Sequence, residues 1–97
     1  KTLHIVFGMV NDKDTTTILS MLPKNAFYYF TQPSIDRALD VETLWERAKE
    51  YGLHGHSYPT VEEALKAAKE NADEIDLIFI GGSSFIVADA LALLTDK

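Results

Sequence analysis

Residues 75–94 read IDLIFIGGSSFIVADALALL. An apolar run, a glycine pair, a serine pair and a second apolar stretch follow in that order. The segment IDLIFIGG (75–82) has the near-continuous hydrophobicity of a strand buried on both faces of a sheet, where alternation with polar residues would instead mark a half-solvated one. Two glycines let the backbone turn sharply and come close to whatever lies beside it. Ser83 and Ser84 can cap a helix start, and SSFIVADALALL (83–94) then supplies a mostly apolar helix. A strand, a glycine loop and a helix in that order form the basic unit of an α/β fold.

The rest of the chain repeats the unit. LHIVFG (3–8) is a second apolar run, expected to be a strand covered on both faces. TTTILSMLP offers a short helix with Ile18, Leu19 and Leu22 on its apolar side, stopped by Pro23. AFYYFT (26–31) is aromatic-rich and reads as a strand. Asp40 can cap a helix with the stripe Val41, Leu44, Trp45 and Ala48, and Gly52 stands where a C-terminal cap belongs. HGHSYP (54–59) is a short polar strand suited to a sheet edge. Thr60-Val-Glu-Glu63 fits a capping box ahead of Val61, Ala64, Leu65 and Ala68. The order βαβαβαβα predicts an α/β domain of three layers around a mostly parallel sheet, because parallel neighbours need helical crossovers. No repeat, linker or low-complexity stretch divides residues 1–97, which read as a single domain.

Composition narrows the classes. The chain has 97 residues, 46% hydrophobic and 25% charged, which allows one modest core. Nine basic against fifteen acidic residues give a net charge of -6, a poor surface for nucleic acid or anionic membranes. The absence of cysteine excludes disulfides and thiol catalysis, and it fits a reducing cytoplasm. No apolar run approaches the roughly 20 residues that span a bilayer, and no signal peptide is visible. The chain begins at Lys1 rather than methionine, so it is expected to be a piece of something longer.

In a parallel sheet the loops at the carboxyl ends of the strands converge, and ligands bind there. Those loops are GMVNDKD, TQPSIDRA, YPT and GGSSF, which hold Asp12, Lys13, Asp14, Arg37, Ser83 and Ser84. The opposite loops, PKN, YGL and NADE, read as solvated turns. Asn11, Asp12 or Asp14 can cap the helix that follows, and two carboxylates there oppose a phosphate. The same acids suit a ligand amine or a metal. Lys13, flanked by acids, stays protonated and can meet a ligand carboxylate. GGSSF is the better anion site, with free amides and hydroxyls at a helix start, or else an ordinary capped turn. Arg37 lies in a loop long enough to lean over the rim. His54 and His56 share a strand face without a third ligand, so zinc is not expected, and His4 reads as structural. Neither a P-loop nor G-x-G-x-x-G is present.

VFGMVNDKD, YYFTQPSIDRAL, YPTVEEAL and IFIGGSSFIVADAL together resemble the C-terminal domain of bacterial folylpolyglutamate synthase/dihydrofolate synthase, a member of the Mur ligase family. The likeness runs over essentially the whole chain in the family's order. It implies a Rossmann-like domain of an ATP-dependent ligase that activates a carboxylate as an acyl phosphate. The amine of L-glutamate then attacks, joining glutamate to dihydropteroate or to a folate. It also implies ATP and Mg2+ held mainly by a preceding P-loop domain, which becomes this chain's partner, together with a pterin or folate substrate.

Carried over by position, the resemblance gives Lys13 the glutamate carboxylate and puts Ser83, Ser84 and Phe85 beside the same substrate. Asp12, Asp14 and Arg37 become nucleotide-facing or interdomain residues, and no catalytic nucleophile is implied. Two departures stand out. Phe85 occupies a place where some folate ligases carry histidine. The family's D-G-A-H-N segment and first helix are missing, so the 97 residues are expected to be a C-terminal fragment lacking its N-terminal strand and helix, inert alone. The alternatives are a stand-alone flavodoxin-like or receiver-like module, or an interaction domain whose rim residues are only caps. A receiver domain needs a further aspartate after a central strand, which SYPT lacks.

Overall fold

The apolar run near the N-terminus becomes strand β1 (Leu3–Phe7), and the structure is assembled around it. This computed structural model describes residues 2–11 and 14–95, apart from the side chains of Ser84 and Thr95. The chain continues as α1 (Thr15–Met21), β2 (Phe27–Phe30), α2 (Val41–Glu50), β3 (His54–Ser57), α3 (Val61–Asn71), β4 (Leu77–Gly81) and α4 (Ser84–Thr95). All neighbouring strands are parallel and the sheet order is β3-β2-β1-β4. The α/β alternation, the three layers and the polar edge strand at 54–57 agree with the sequence pattern.

Side-chain alternation divides the core between the two faces of the sheet. Ile5, Phe7, Tyr28 and Phe30 point to one side, where they meet Leu19 of α1 and Val41, Leu44 and Ala48 of α2. Val6 and Tyr29 point to the other side, against Val61, Ala64, Leu65 and Ala68 of α3 and Ile86 and Ala90 of α4. A central strand with a helical layer on each face must be apolar at every position, as β1 is.

Helix boundaries follow the local chemistry. Asp40 Oδ2 accepts from the Thr43 amide at 3.1 Å and opens α2. Gly52 takes φ +76° just past the end of α2, a left-handed conformation that glycine adopts without a Cβ clash. Thr60 Oγ1 accepts from the Glu63 amide at 3.2 Å to open α3. Leu22 is extended because it precedes Pro23, and α1 stops there.

One expectation fails at β4. The run 75–82 reads as buried on both faces, yet Leu77 and Phe79 are 58% and 59% exposed. The reason is topological. β4 is the sheet edge, and α1 and α2 follow β1 and β2 toward the opposite edge, so the face carrying Leu77 and Phe79 is left bare among the described residues. Ile78 and Ile80, on the α3/α4 face, do pack against the core.

Candidate functional site

From β1 the chain moves through β2 to β3, then crosses back to lay β4 on the far side of β1. The carboxyl ends of β1 and β4 are therefore adjacent where the winding reverses, the place at which open α/β sheets form a ligand crevice. The loops at those ends are GMVNDKD and GGSSF. The Gly8 amide donates to the Gly81 carbonyl at 3.4 Å. Gly82 turns at φ +100°, and a Cβ there would collide with the carbonyl oxygen of Gly8. A Cβ on Gly8 would in turn lie 2.6 Å from Ile86 Cδ1 and 2.7 Å from the Thr31 carbonyl oxygen. The two loops come this close only because glycine stands at both contact points.

The first loop is rooted by Met9 and Val10, both buried, while Asn11 is exposed. It is also clipped to the loop after β2. The Asn11 amide donates to the Arg37 carbonyl at 2.6 Å, the Leu39 amide donates to Met9 O at 2.9 Å, and Val10 bridges Ala38 in antiparallel fashion. The backbone of Arg37 is thus brought beside Asn11. Asp12 and Lys13 lie outside the described residues, between Asn11 and Asp14.

Asp14 is a helix cap. Its Oδ1 accepts from the Thr17 amide at 3.3 Å and its Oδ2 accepts from the Thr17 hydroxyl at 2.6 Å. These bonds, the hydroxyl first, hold its carboxyl below the usual carboxylate range. At the other loop, Ser83 Oγ accepts from the Phe85 amide at 3.1 Å, and its carbonyl accepts from Ile86 and Val87. Ser83 therefore caps the start of α4 through its lone pairs, a role that does not use its hydroxyl proton. Phe85 is 39% exposed at the same rim.

Further rim bonds carry no warning in the sequence. Ser34 donates through its amide to Asp89 Oδ2 at 2.9 Å and through its hydroxyl to Asp89 Oδ1 at 3.0 Å. The Val41 amide donates to Gln32 Oε1 at 2.9 Å, and Pro33 is fully buried. Thr31 Oγ1 is buried beneath the rim without a hydrogen-bond partner among the described residues.

The opposite rim carries the solvated turns read from the sequence, with Lys24, Gly52, Asp73 and Glu74 exposed, and a buried pair lies beside them. His4 is buried, with Nδ1 2.8 Å from the Tyr29 hydroxyl and Nε2 2.9 Å from Asp76 Oδ2. Asp76 also accepts from the Thr2 and Asp73 amides at 2.8 and 3.0 Å. The His4 bond, with those two amides, lowers its carboxyl from 3.8 to about 2. The structural reading of His4 holds, and Asp76, two residues past the NADE turn, anchors the start of β1. His54 and His56 lie exposed on β3, and among the described residues no three His, Asp or Glu groups could hold a metal ion. No described helix is long and apolar enough to cross a membrane.

The topology and the glycine contacts define an α/β domain in which the loops after β1 and β4 lie side by side. Residues 1–84 match the family model described as "Mur ligase, glutamate ligase domain". The chain belongs to that family. A probable bifunctional folylpolyglutamate synthase/dihydropteroate synthase of Haloferax volcanii is 34% identical over an alignment of 94 residues that covers 91% of this chain and 11% of that protein. Among solved structures, E. coli FolC in complex with DHPP and ADP superposes with a TM-score of 0.88 at 26% identity, covering 99% of this chain and 22% of that one. A bifunctional folylpolyglutamate synthase/dihydrofolate synthase with Mn, AMPPNP and L-glutamate bound gives a TM-score of 0.80 at 26% identity, over 96% and 22% of the respective chains. The chain spans about a ninth of the curated relative and under a quarter of either solved protein.

Proposed function

We propose that this chain is the glutamate-binding domain of an ATP-dependent ligase that joins L-glutamate to dihydropteroate or a folate through an acyl phosphate. The observation that carries the reading is the contact between the loops after β1 and β4, in a domain of the glutamate ligase family. The solved relative with L-glutamate bound supports the choice of amino acid.

The chemistry assigned to this chain is binding and orientation. Lys13 supplies a positive charge for a glutamate carboxylate on a rim that also carries several acids. The Ser83 and Ser84 hydroxyls donate to the same substrate, and Phe85 shields it from water. Asp12 faces the substrate amine or neighbouring nucleotide, Asp14 caps α1, and Arg37 lies toward the substrate or a neighbouring domain. Holding the amine in line with its electrophile can remove several kcal/mol of barrier, about 7–11 in the best intramolecular cases.

ATP and its divalent metal supply carboxylate activation, but the described residues do not fit the metal. They include no three-group cluster, and the Asp14 oxygens are taken by Thr17. Metal, nucleotide and pterin are therefore assigned mainly to a P-loop domain elsewhere in the polypeptide. Nucleic acid and membrane are not among the proposed partners, in keeping with the charge of -6. The proposed setting is cytoplasmic, which the cysteine-free sequence fits.

The test is an assay of the full-length polypeptide with ATP, Mg2+, a pterin or folate acceptor and L-glutamate. The proposal predicts ADP release that requires both acceptor and glutamate, and a product heavier by one glutamyl residue. ADP release indifferent to glutamate, or no amide product, contradicts it.

A further inference from the structure

We infer that Asp89 of α4 is a positioning residue for the amino-acid site, acting through Ser34 on the loop after β2. The inference rests on the function proposed above. Asp89 is the one charged residue between Ser84 and Thr95, in a helix that is otherwise apolar or small. Aspartate in a helix interior is unfavourable for the helix itself. Both of its carboxylate oxygens are committed to a residue 55 positions away, one to the Ser34 amide at 2.9 Å and the other to its hydroxyl at 3.0 Å. Charge-assisted bonds of this kind fix orientation as well as distance.

What they fix is the short turn 34–38. Its near end is tied to α4 by Asp89. Its far end is tied to the loop after β1 by the Asn11–Arg37 and Met9–Leu39 backbone bonds. The Ala38 amide donates to Ile35 O at 3.2 Å and keeps the turn compact between those anchors. Residues 34–38 are thus a brace from the helix that GGSSF begins to the loop that carries Lys13, with Arg37 on it. Ser34 is exposed, and Asp89 lines a surface groove of about 220 Å³ with Thr60, Glu62 and Leu93, so the pair buries little apolar surface of its own. Its consequence is geometric: it sets the separation of the two loops that flank one ligand, and so whether both can reach that ligand at once.

The experiment uses the full-length enzyme with Asp89→Ala, Asp89→Asn, Ser34→Ala and the Ser34→Ala/Asp89→Ala double variant. Asp89→Ala is expected to raise the KM for glutamate about ten-fold, with the KM for ATP and the kcat within about two-fold. Ser34→Ala, a small change at an exposed site, moves the same constant in the same direction. The double variant is no worse than Asp89→Ala, because the two residues act as one link. Asp89→Asn keeps one acceptor oxygen and falls between. An unchanged glutamate KM, additive single effects, or a loss confined to kcat in proportion to a lowered melting temperature overturns the inference. A wild-type enzyme without glutamate-dependent turnover overturns the proposed function and this inference with it.

Discussion

Gly82, at φ +100°, leaves no room for a Cβ beside the carbonyl oxygen of Gly8. The contact between the loops is therefore set by two residues without side chains, one after the central strand β1 and one after its edge neighbour β4. Gly82→Ala is predicted to destabilise the domain by about 1–3 kcal/mol, through left-handed backbone strain and the collision together. Urea unfolding with an unchanged m-value measures it. A loss below ~0.5 kcal/mol means the loops separate easily, and the crevice is not built as described.

Asp76 links the β4 entry to the buried His4 ring and to the amide of Thr2. Its carboxyl falls from 3.8 to about 2 on folding, so the charged form is favoured in the native state. The sign follows from proton binding. Below 3.8 the unfolded chain takes up a proton that the native carboxylate resists. The contribution is therefore complete above about pH 4 and is lost as pH falls toward 2. Asp76→Asn is predicted to lower the melting temperature at neutral pH and to flatten the pH dependence between 4 and 2. Circular-dichroism melts of both proteins across that range decide it. Parallel curves contradict the linkage.

Much of this fold is legible before any coordinates. The apolar period of α2 and α3, the caps at Asp40 and Thr60 and the glycine after α2 are local signals, and local signals survive folding. The exposure of Leu77 and Phe79 is not legible, because composition shows that a strand is apolar and not which edge it occupies. The Ser34–Asp89 and His4–Asp76 pairs join residues 55 and 72 positions apart, and no spacing rule reaches that far. At the candidate site, the residue types and the shared rim are readable from the alternation of elements. That the β1 and β4 loops are neighbours is settled by the crossover.

Asp14 separates the two readings that the NDKD sequence leaves open. Its bonds to Thr17 make it a cap, so Asp14→Ser, which retains a capping oxygen, should keep both stability and activity. Asp14→Ala should lower the melting temperature and leave the KM values for glutamate and ATP unchanged. Loss of activity in Asp14→Ser at an unchanged melting temperature would assign the carboxylate to a ligand instead.

The bare apolar strip on β4 predicts behaviour of the 97-residue chain in isolation. Leu77 and Phe79 flank an edge with unpaired backbone groups, a combination that favours self-association. Sedimentation of the isolated chain should show concentration-dependent association, reduced by Phe79→Lys. Identical monomeric profiles at all concentrations contradict this.

The central claim is that the loop after β1 and the loop after β4 hold one glutamate between them, with Lys13 taking a carboxylate. The most direct measurement is the steady-state kinetics of Lys13→Ala in the full-length enzyme. The account predicts a KM for glutamate raised by about ten-fold or more, consistent with loss of a charge-assisted contact, while the KM for ATP stays within about two-fold. A glutamate KM equal to that of the unaltered enzyme would contradict it.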